Sequence, residues 1–334
     1  MRPEGDDAGG GSPMKRWRSR RFLMPMTIGL VLGLSGGAFA AFSGTTTNGP
    51  NRFIAAADWE APHVTRTTVA KTVGYLAGSI RQGGQFYVYA QIDDGGNPPA
   101  GVGTVTANVS AFSTGGVAVT MVAGAFSEQG VPYNYRSAAR TAINPMANGT
   151  RTYSFTMSDT AVPVHTQTET GFTVIIDNTA PAPVNLTTAN RAGGVVGRPE
   201  IGDSITFTWN TPIDPESLLP GWNGGSPATV TVRFRNVGNN DRIRIRGTAN
   251  NNLNFGQVFL QQNYVPATRT FTGSAITMLG NTVTVVLGTP SGTVNTVTVA
   301  STTTWQASNG AYDGAGNPCS TATITGSGSP RINF

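Results

Sequence analysis

Residues 85–99 contain a strand-like run followed by a turn-like run, Gln85-Phe86-Tyr87-Val88-Tyr89-Ala90-Gln91-Ile92 and then Asp93-Asp94-Gly95-Gly96-Asn97-Pro98-Pro99. The first run is rich in aromatic and β-branched side chains, which predicts a β-strand. The second consists of acidic, amide, glycine and proline residues, which are typical of tight turns. A short strand that ends in a sharp turn indicates an all-β protein.

The same alternation of strand and turn recurs up to the C-terminus, with almost no helical periodicity. Turns spaced about ten residues apart favour a β-sandwich, because a parallel sheet would need crossover helices. We therefore predict two sets of strands. The first set covers residues 85–92, 103–110, 117–121, 152–157 and 171–177, and the second covers residues 203–209, 228–234, 242–246, 281–287 and 293–300.

A proline-containing segment separates the two sets, Asp177-Asn178-Thr179-Ala180-Pro181-Ala182-Pro183. Two prolines one residue apart stiffen a short linker and stop strand pairing across it. We predict two β-sandwich domains, residues 58–180 and 181–334, that fold independently and hinge at residues 177–183. Within the second, we predict one helical turn at residues 214–219, with Asp214 as its N-cap and Pro215 as its first residue.

The N-terminus has the order of an export signal. Basic residues precede an apolar run at residues 22–34, and small residues follow, with an A-x-A site at Ala38-Phe39-Ala40. We predict a cleaved signal peptide at residues 1–41 with a basic n-region, then a polar segment at residues 42–57. An uncleaved anchor is the alternative, although the apolar run is shorter than the ~20 residues that span a membrane. Membrane contact is then expected only through the signal, before cleavage.

Composition narrows the class of protein further. Charged residues make up 12% of the chain, about half the ~25% of an average globular protein. No basic patch interleaved with aromatic residues is evident, so nucleic acid is not an expected partner. Cys319 is the only cysteine, which excludes an intrachain disulfide. Export without disulfides favours a bacterial secreted or surface protein.

Short motifs resemble known bacterial families. Residues 58–181 resemble bacterial Ig-like surface modules in Asp58-Trp59-Glu60-Ala61-Pro62, in the strand and turn at residues 86–94, and in the exit at residues 176–181. Residues 183–334 are similar to the Ig-like repeats of bacterial surface-layer and adhesin proteins. The matching motifs there are Gly202-Asp203-Ser204-Ile205-Thr206-Phe207, Thr211-Pro212-Ile213-Asp214-Pro215 and Asp313-Gly314-Ala315-Gly316-Asn317-Pro318. These resemblances imply two tandem Ig-like β-sandwiches.

A third resemblance concerns export. Ala40-Ala41-Phe42-Ser43-Gly44-Thr45 and Asn51-Arg52-Phe53-Ile54-Ala55-Ala56 resemble the cleavage region of bacterial exported fibre and biofilm-matrix proteins. This resemblance implies a secreted or cell-surface location.

Residues able to support catalysis are scarce. The chain has two histidines, His63 and His165, each in a stretch rich in proline and threonine. It has no Gly-x-Ser-x-Gly nucleophile elbow. We expect no catalytic residues, no enzyme activity and no organic cofactor.

One metal site is a sequence-level hypothesis. Asp93, Asp94 and Asn97 lie in one turn, and Asp177 stands at the end of the same predicted domain. Calcium takes six to eight oxygen ligands, which such side chains supply. The alternative is that these residues only form turns, because β-turns are built from the same residue types.

Together these features predict an exported, non-enzymatic cell-surface or extracellular-matrix protein that acts as a structural, adhesive or assembly module. The expected partners are other surface proteins, cell-wall or matrix polymers, or further copies of the chain. A secreted carbohydrate-binding or hydrolytic exoprotein is one alternative, with Trp222 as the expected exposed platform and Asp214 and Glu216 as its acids. A filament subunit that assembles by edge-strand addition is another.

Overall fold

A computed structural model describes residues 58–334, and the predicted signal peptide (1–41) and polar segment (42–57) lie outside the described residues. The described chain is all-β, as predicted, with nineteen strands and one short helix. The elements are β1 (His63–Lys71), β2 (Ser79–Ile80), β3 (Gln85–Asp93), β4 (Val102–Asn108), β5 (Val119–Glu128), β6 (Val131–Ser137), β7 (Arg140–Thr141), β8 (Gly149–Asp159), β9 (Thr166–Ile176), β10 (Pro183–Ala189), β11 (Ser204–Trp209), α1 (Pro215–Leu218), β12 (Ala228–Arg235), β13 (Arg242–Arg246), β14 (Gln257–Phe259), β15 (Arg269–Leu279), β16 (Thr282–Val286), β17 (Thr289–Pro290), β18 (Thr304–Gln306) and β19 (Thr323–Thr325).

The strands form two sheets with β-sandwich character. The first sheet has the order β1-β3-β6-β5-β4-β8-β9-β2, and β7 pairs with β3. The second has the order β10-β11-β16-β15-β12-β13-β14-β18-β19, and β17 pairs with β15. In the first sheet, β5 pairs with β4 through its first two residues and with β6 along the rest of its length. This change of partner lets one continuous ladder cover both faces of a core.

Alternating side chains fill the two cores. In β8, Tyr153, Phe155 and Met157 point inward, whereas Thr152 and Thr156 are exposed. In the second core, the indole rings of Trp209 and Trp305 meet edge to face with centroids 5.1 Å apart. Burying each large apolar side chain contributes about 1.5–3 kcal/mol, so these inward rows are the main source of stability.

Nine of the ten predicted strands overlap observed strands, and the prediction for residues 293–300 is wrong. Backbone N–H groups there donate to loops, from Asn295 to Tyr264 and from Val297 to Gly197, rather than to a ladder. Ten observed strands lie outside the predicted ranges, among them the longer strands β1, β6, β10 and β15. Gly273, at φ +68°, lies in the β15 bulge and interrupts the alternation that would have indicated that strand.

The helix begins as predicted, with Pro215 as its first residue. Asp214 caps it by accepting the N–H of Glu216 at 3.0 Å. Within residues 58–334, no helix is long and apolar enough to cross a membrane.

Candidate functional site

A buried polar cluster lies where the two sheets meet, and it centres on Lys71 and Asp214. Lys71 is the last residue of β1, in the first sheet. Asp214 is the N-cap of α1, which follows β11 of the second sheet. Lys71 Nζ lies 2.5 Å from Asp214 Oδ2, and the two side chains are 6% and 0% exposed. We call this cluster, with the loops that surround it, the junction.

Both charged groups of the junction have complete hydrogen bonding. Lys71 Nζ also donates to the carbonyls of Leu76 (2.7 Å) and Gly314 (3.0 Å), so all three ammonium protons have acceptors. The carboxylate of Asp214 accepts the backbone N–H groups of Tyr75 and Leu76 in addition to its capping bond. Removing two charges from water costs free energy, and additional hydrogen bonds are needed to offset that cost. These contacts supply those bonds and hold the ion pair in one geometry.

Gly74 permits this close approach. Its φ is +96°, and a Cβ there would lie 2.7 Å from both Asp214 Oδ2 and Lys71 Cε. Glycine has no Cβ and tolerates positive φ, so it meets both requirements. The loop between β1 and β2 can therefore wrap over the ion pair.

A second loop, residues 313–317, completes the junction. Its shape depends on Asp313, whose carboxylate accepts the N–H groups of Ala315 and Asn317. The loop then binds the first sheet, since the Ala315 carbonyl accepts the N–H of Arg81 (3.2 Å). Asn317 Nδ2 donates to the Asp177 carbonyl (2.8 Å). The sequence indicated turn residues here, but it gave no sign that they face another sheet.

Tyr312 borders the ion pair without adding a charge. Its ring centroid is 5.8 Å from Lys71 Nζ. Burial, followed by the nearby carboxylates of Asp214 and Glu216, raises the pKa of Tyr312 to about 12. The phenol is therefore neutral at physiological pH and does not compete with Asp214 for the lysine.

The four predicted calcium residues lie in two places. Asp93 pairs with His63 at the end of the first sheet that is remote from the junction, and Asp94 accepts the N–H of Gly101 nearby. Asn97 is exposed in the same loop. Asp177 is at the junction, where its Oδ1 accepts the N–H of Thr179. The nine-residue strand β3 runs between the two ends and separates them by roughly 25 Å at ~3.3 Å per residue. The four side chains therefore do not form one cluster.

No group of three or more His, Cys, Asp or Glu side chains that could hold a metal ion occurs in residues 58–334. The carboxylates near the Asp93 turn accept hydrogen bonds from backbone N–H groups and so stabilise their loops. Asp58, for example, accepts the N–H groups of Glu60 and Ala100. Calcium binding at this turn stays a prediction.

The histidines occupy loop and strand-end positions. His63 begins β1, and His165 lies just before β9 with its Nδ1 2.6 Å from Asp159 Oδ2. Asp159 also accepts the N–H groups of His165 and Ala161. Burial disfavours the charged carboxylate, but these hydrogen bonds outweigh burial and lower the pKa of Asp159. The pair closes the turn between β8 and β9.

Two other sequence candidates are buried. The expectation that Trp222 is exposed is wrong, because it is only 6% exposed, packs in the second core and donates Nε1–H to the Ser226 carbonyl. Trp209 lies in the core, as expected, and Trp305 is buried there too. Cys319 is also buried, which raises the pKa of its thiol to about 11. A protonated, enclosed thiol is unreactive at neutral pH.

No known protein-family model matches the chain, and no curated protein matches it in sequence. The chemistry of the junction itself indicates what it can do. Its carboxylate, ammonium and backbone groups all bond to one another across the two sheets, so it resists their relative movement.

Proposed function

We propose that this protein is an exported, non-enzymatic component of a bacterial cell surface or extracellular matrix. In this proposal residues 58–180 and 181–334 are tandem Ig-like domains that act as one structural, adhesive or assembly module. Its partners are other surface proteins, matrix or cell-wall polymers, or further copies of itself. The order of charged, apolar and small residues in the first 41 positions supports export.

The observation that carries the proposal is the buried Lys71–Asp214 pair. A freely hinged pair of domains would keep its charges in water. Burying an ion pair between the two sheets stabilises one relative arrangement, because separating them would expose or unpair both charges. A rigid two-sheet unit suits a spacer or an adhesive stalk, whose task is to hold its ends a fixed distance apart.

Two of the three residues expected for the carbohydrate-binding or hydrolytic alternative are buried. Trp222 lies in the core, and Asp214 is fully buried and used in the ion pair. A catalytic carboxylate must reach a substrate, and this one cannot without breaking the junction. The filament alternative, assembly through unpaired strand edges, stays compatible with the all-β architecture.

Fractionation of the producing cells tests the proposal. We expect the mature chain in the surface or matrix fraction, with Ala41 or Phe42 at its N-terminus by Edman sequencing. Ala40→Glu serves as the matched control, because a large charged residue at the cleavage site blocks processing. Recovery of the intact chain in the cytoplasm would contradict export. Turnover of a polysaccharide or peptide by purified residues 42–334 would contradict the non-enzymatic assignment.

A further inference from the structure

One face of the second sheet carries an unusual concentration of arginine. Strands β12 and β13 alternate strictly, with Val232, Phe234, Ile243 and Ile245 at most 1% exposed on the core side. The residues between them point outward. We call the resulting surface the arginine face, and it consists of Arg233, Arg235, Arg242, Arg244 and Arg246. These are five of the nine arginines in residues 178–334.

The strand register sets these charges against one another. Arg233 lies directly opposite Arg244, and Arg235 lies opposite Arg242. Cross-strand neighbours of this kind have Cβ atoms about 4.5–5.5 Å apart, and like charges placed so destabilise a sheet. This pairing of like charges opposes folding at these positions, which points to a second role for the arginines.

The arginine face also lacks acidic partners. None of the ion pairs found in residues 58–334 involves its five members. Arg244 donates to the neutral Oε1 of Gln257, and the Arg242 guanidinium lies 5.1 Å from the Phe259 ring centroid. The Nε atoms of Arg242 and Arg246 are buried without an acceptor among the described residues. The face therefore has unused hydrogen-bond donors as well as uncompensated charge.

These side chains line a shallow groove of about 410 Å³, together with Asn252 and Gln257. Along β13 the outward arginines repeat every second residue, which places successive guanidinium stems about 6.6 Å apart. A row of cations at regular spacing complements an extended chain with repeating negative charges better than it complements a single small anion.

We infer that the arginine face binds an anionic polysaccharide that carries carboxylate groups. The planar guanidinium of arginine forms paired hydrogen bonds with a carboxylate. The amides of Asn252 and Gln257 offer donors and acceptors to sugar hydroxyls. Gln306 lies opposite Gln257 on the neighbouring strand and adds a further amide beside the arginine face.

Nucleic acid is the competing polyanion, and the face suits it less well. Proteins that bind single strands combine a basic groove with aromatic platforms on which the bases stack. The residues that line this groove include no aromatic side chain, and the Arg242 guanidinium lies over the ring of Phe259 in the neighbouring strand. An acidic polysaccharide needs no such platform, because its charges and hydroxyls lie on the outside of the chain.

This inference names the partner class of the surface protein proposed above, and its biological setting rests on that proposal. The binding itself is measured on purified protein. A cytoplasmic location would therefore overturn export and leave the binding result intact, whereas absence of binding would overturn the inference and leave export intact.

The experiment measures binding of purified residues 42–334 to immobilised polygalacturonate, with neutral dextran as the control polymer. We expect binding to polygalacturonate alone, weakened at least tenfold between 50 and 300 mM NaCl because salt screens the exposed charges. Arg233→Gln/Arg244→Gln should weaken binding at least tenfold. The matched control, Arg191→Gln, removes an arginine from the loop after β10 and should weaken it less than twofold. Thermal melts of each variant establish that it is folded.

Two further arms identify the ligand chemistry. Arg233→Lys/Arg244→Lys keeps both charges and removes the guanidinium forks, so its affinity should fall between those of the wild type and the glutamine variant. Wild-type affinity in the lysine variant would overturn the paired carboxylate contact. Equal losses in Arg191→Gln and in the double variant would overturn the site. Tighter arginine-dependent binding to oligo(dT) than to polygalacturonate would overturn the polysaccharide in favour of nucleic acid.

Discussion

Asp214 Oδ2 accepts a hydrogen bond from Lys71 Nζ at 2.5 Å, although 143 positions separate the two residues in the chain. The same carboxylate caps α1 through the N–H of Glu216. One carboxylate therefore both caps the helix and holds the contact between the two sheets. A change at Asp214 acts on both at once, and this makes it the most informative position for mutation.

Asp214→Asn should lower the free energy of unfolding by about 3–5 kcal/mol, because it leaves the Lys71 ammonium buried without a counter-charge. Because the ion pair couples the two sheets, we expect the wild type to melt in a single transition by differential scanning calorimetry. The variant should melt in a broader transition or in two, as its sheets melt less cooperatively. Glu216→Gln, two residues away and half-exposed, is the control and should change the free energy by less than about 0.5 kcal/mol.

Removing both charges should cost less than the two single losses combined. In Lys71→Met/Asp214→Asn no unpaired buried charge remains, so we expect the double variant to be more stable than Asp214→Asn alone. Strict additivity of the two single effects would contradict direct coupling between the residues.

Gly74→Ala should destabilise the protein more than Gly78→Ala does. Both glycines have positive φ, +96° and +89°, so each substitution strains the backbone by about 1–3 kcal/mol. Only at Gly74 would the added Cβ also press on Asp214 and Lys71, since nothing lies within 4 Å of a Cβ at Gly78. Urea unfolding of the two variants measures the difference in their free energies of unfolding, which reports the steric contribution at Gly74. Equal losses of stability in the two variants would show that the ion pair adapts to the added methyl group.

Local sequence patterns correctly predicted those features of the fold that depend on residues close together in the chain. The run at residues 85–92 became β3, and Asp214-Pro215 became an N-cap and first helical residue. Contacts between distant segments were invisible, because nothing near Lys71 or Asp214 in sequence identifies the other as its partner. The same limit explains why Trp222 looked exposed in a loop rich in glycine and proline but is packed in the second core.

The arginine face was predictable from the sequence only in part. The alternation in Arg242-Ile243-Arg244-Ile245-Arg246 is legible in the sequence and indicates a strand with one charged side. It does not reveal that β12 pairs with β13 in a register that sets Arg233 opposite Arg244. Strand pairing gathers the five charges, and pairing is a property of the whole sheet.

Asp159→Asn should make stability less sensitive to acid. Since the folded-state pKa of Asp159 is lowered from its ordinary value of 3.8, its ionised form stabilises the fold above that pH. This contribution is lost as pH falls through the lower, folded-state pKa. Melting temperatures of wild type and variant should therefore differ most at neutral pH and converge below about pH 4. A difference that stays constant from pH 7 to pH 2.5 would mean that the side chain acts through its shape rather than its charge.

Arg244→Gln should stabilise the protein, against the usual direction of point mutations. The substitution removes a like charge directly opposite Arg233, which is worth about 0.2–1 kcal/mol in a sheet. Urea unfolding at 20 mM NaCl should show the gain, and 500 mM NaCl should reduce it, because salt screens exposed charges.

Arg233→Gln should give a similar gain in stability. The double variant should gain less than the sum of the two single gains, since either change alone relieves the same repulsion. Arg191→Gln, whose guanidinium lies 4.0 Å from Glu200 Oε2, should give no gain. A loss of stability in Arg244→Gln at low salt would show that its bonds to Gln257 outweigh the repulsion, and the arginine face would then be a structural feature of the sheet.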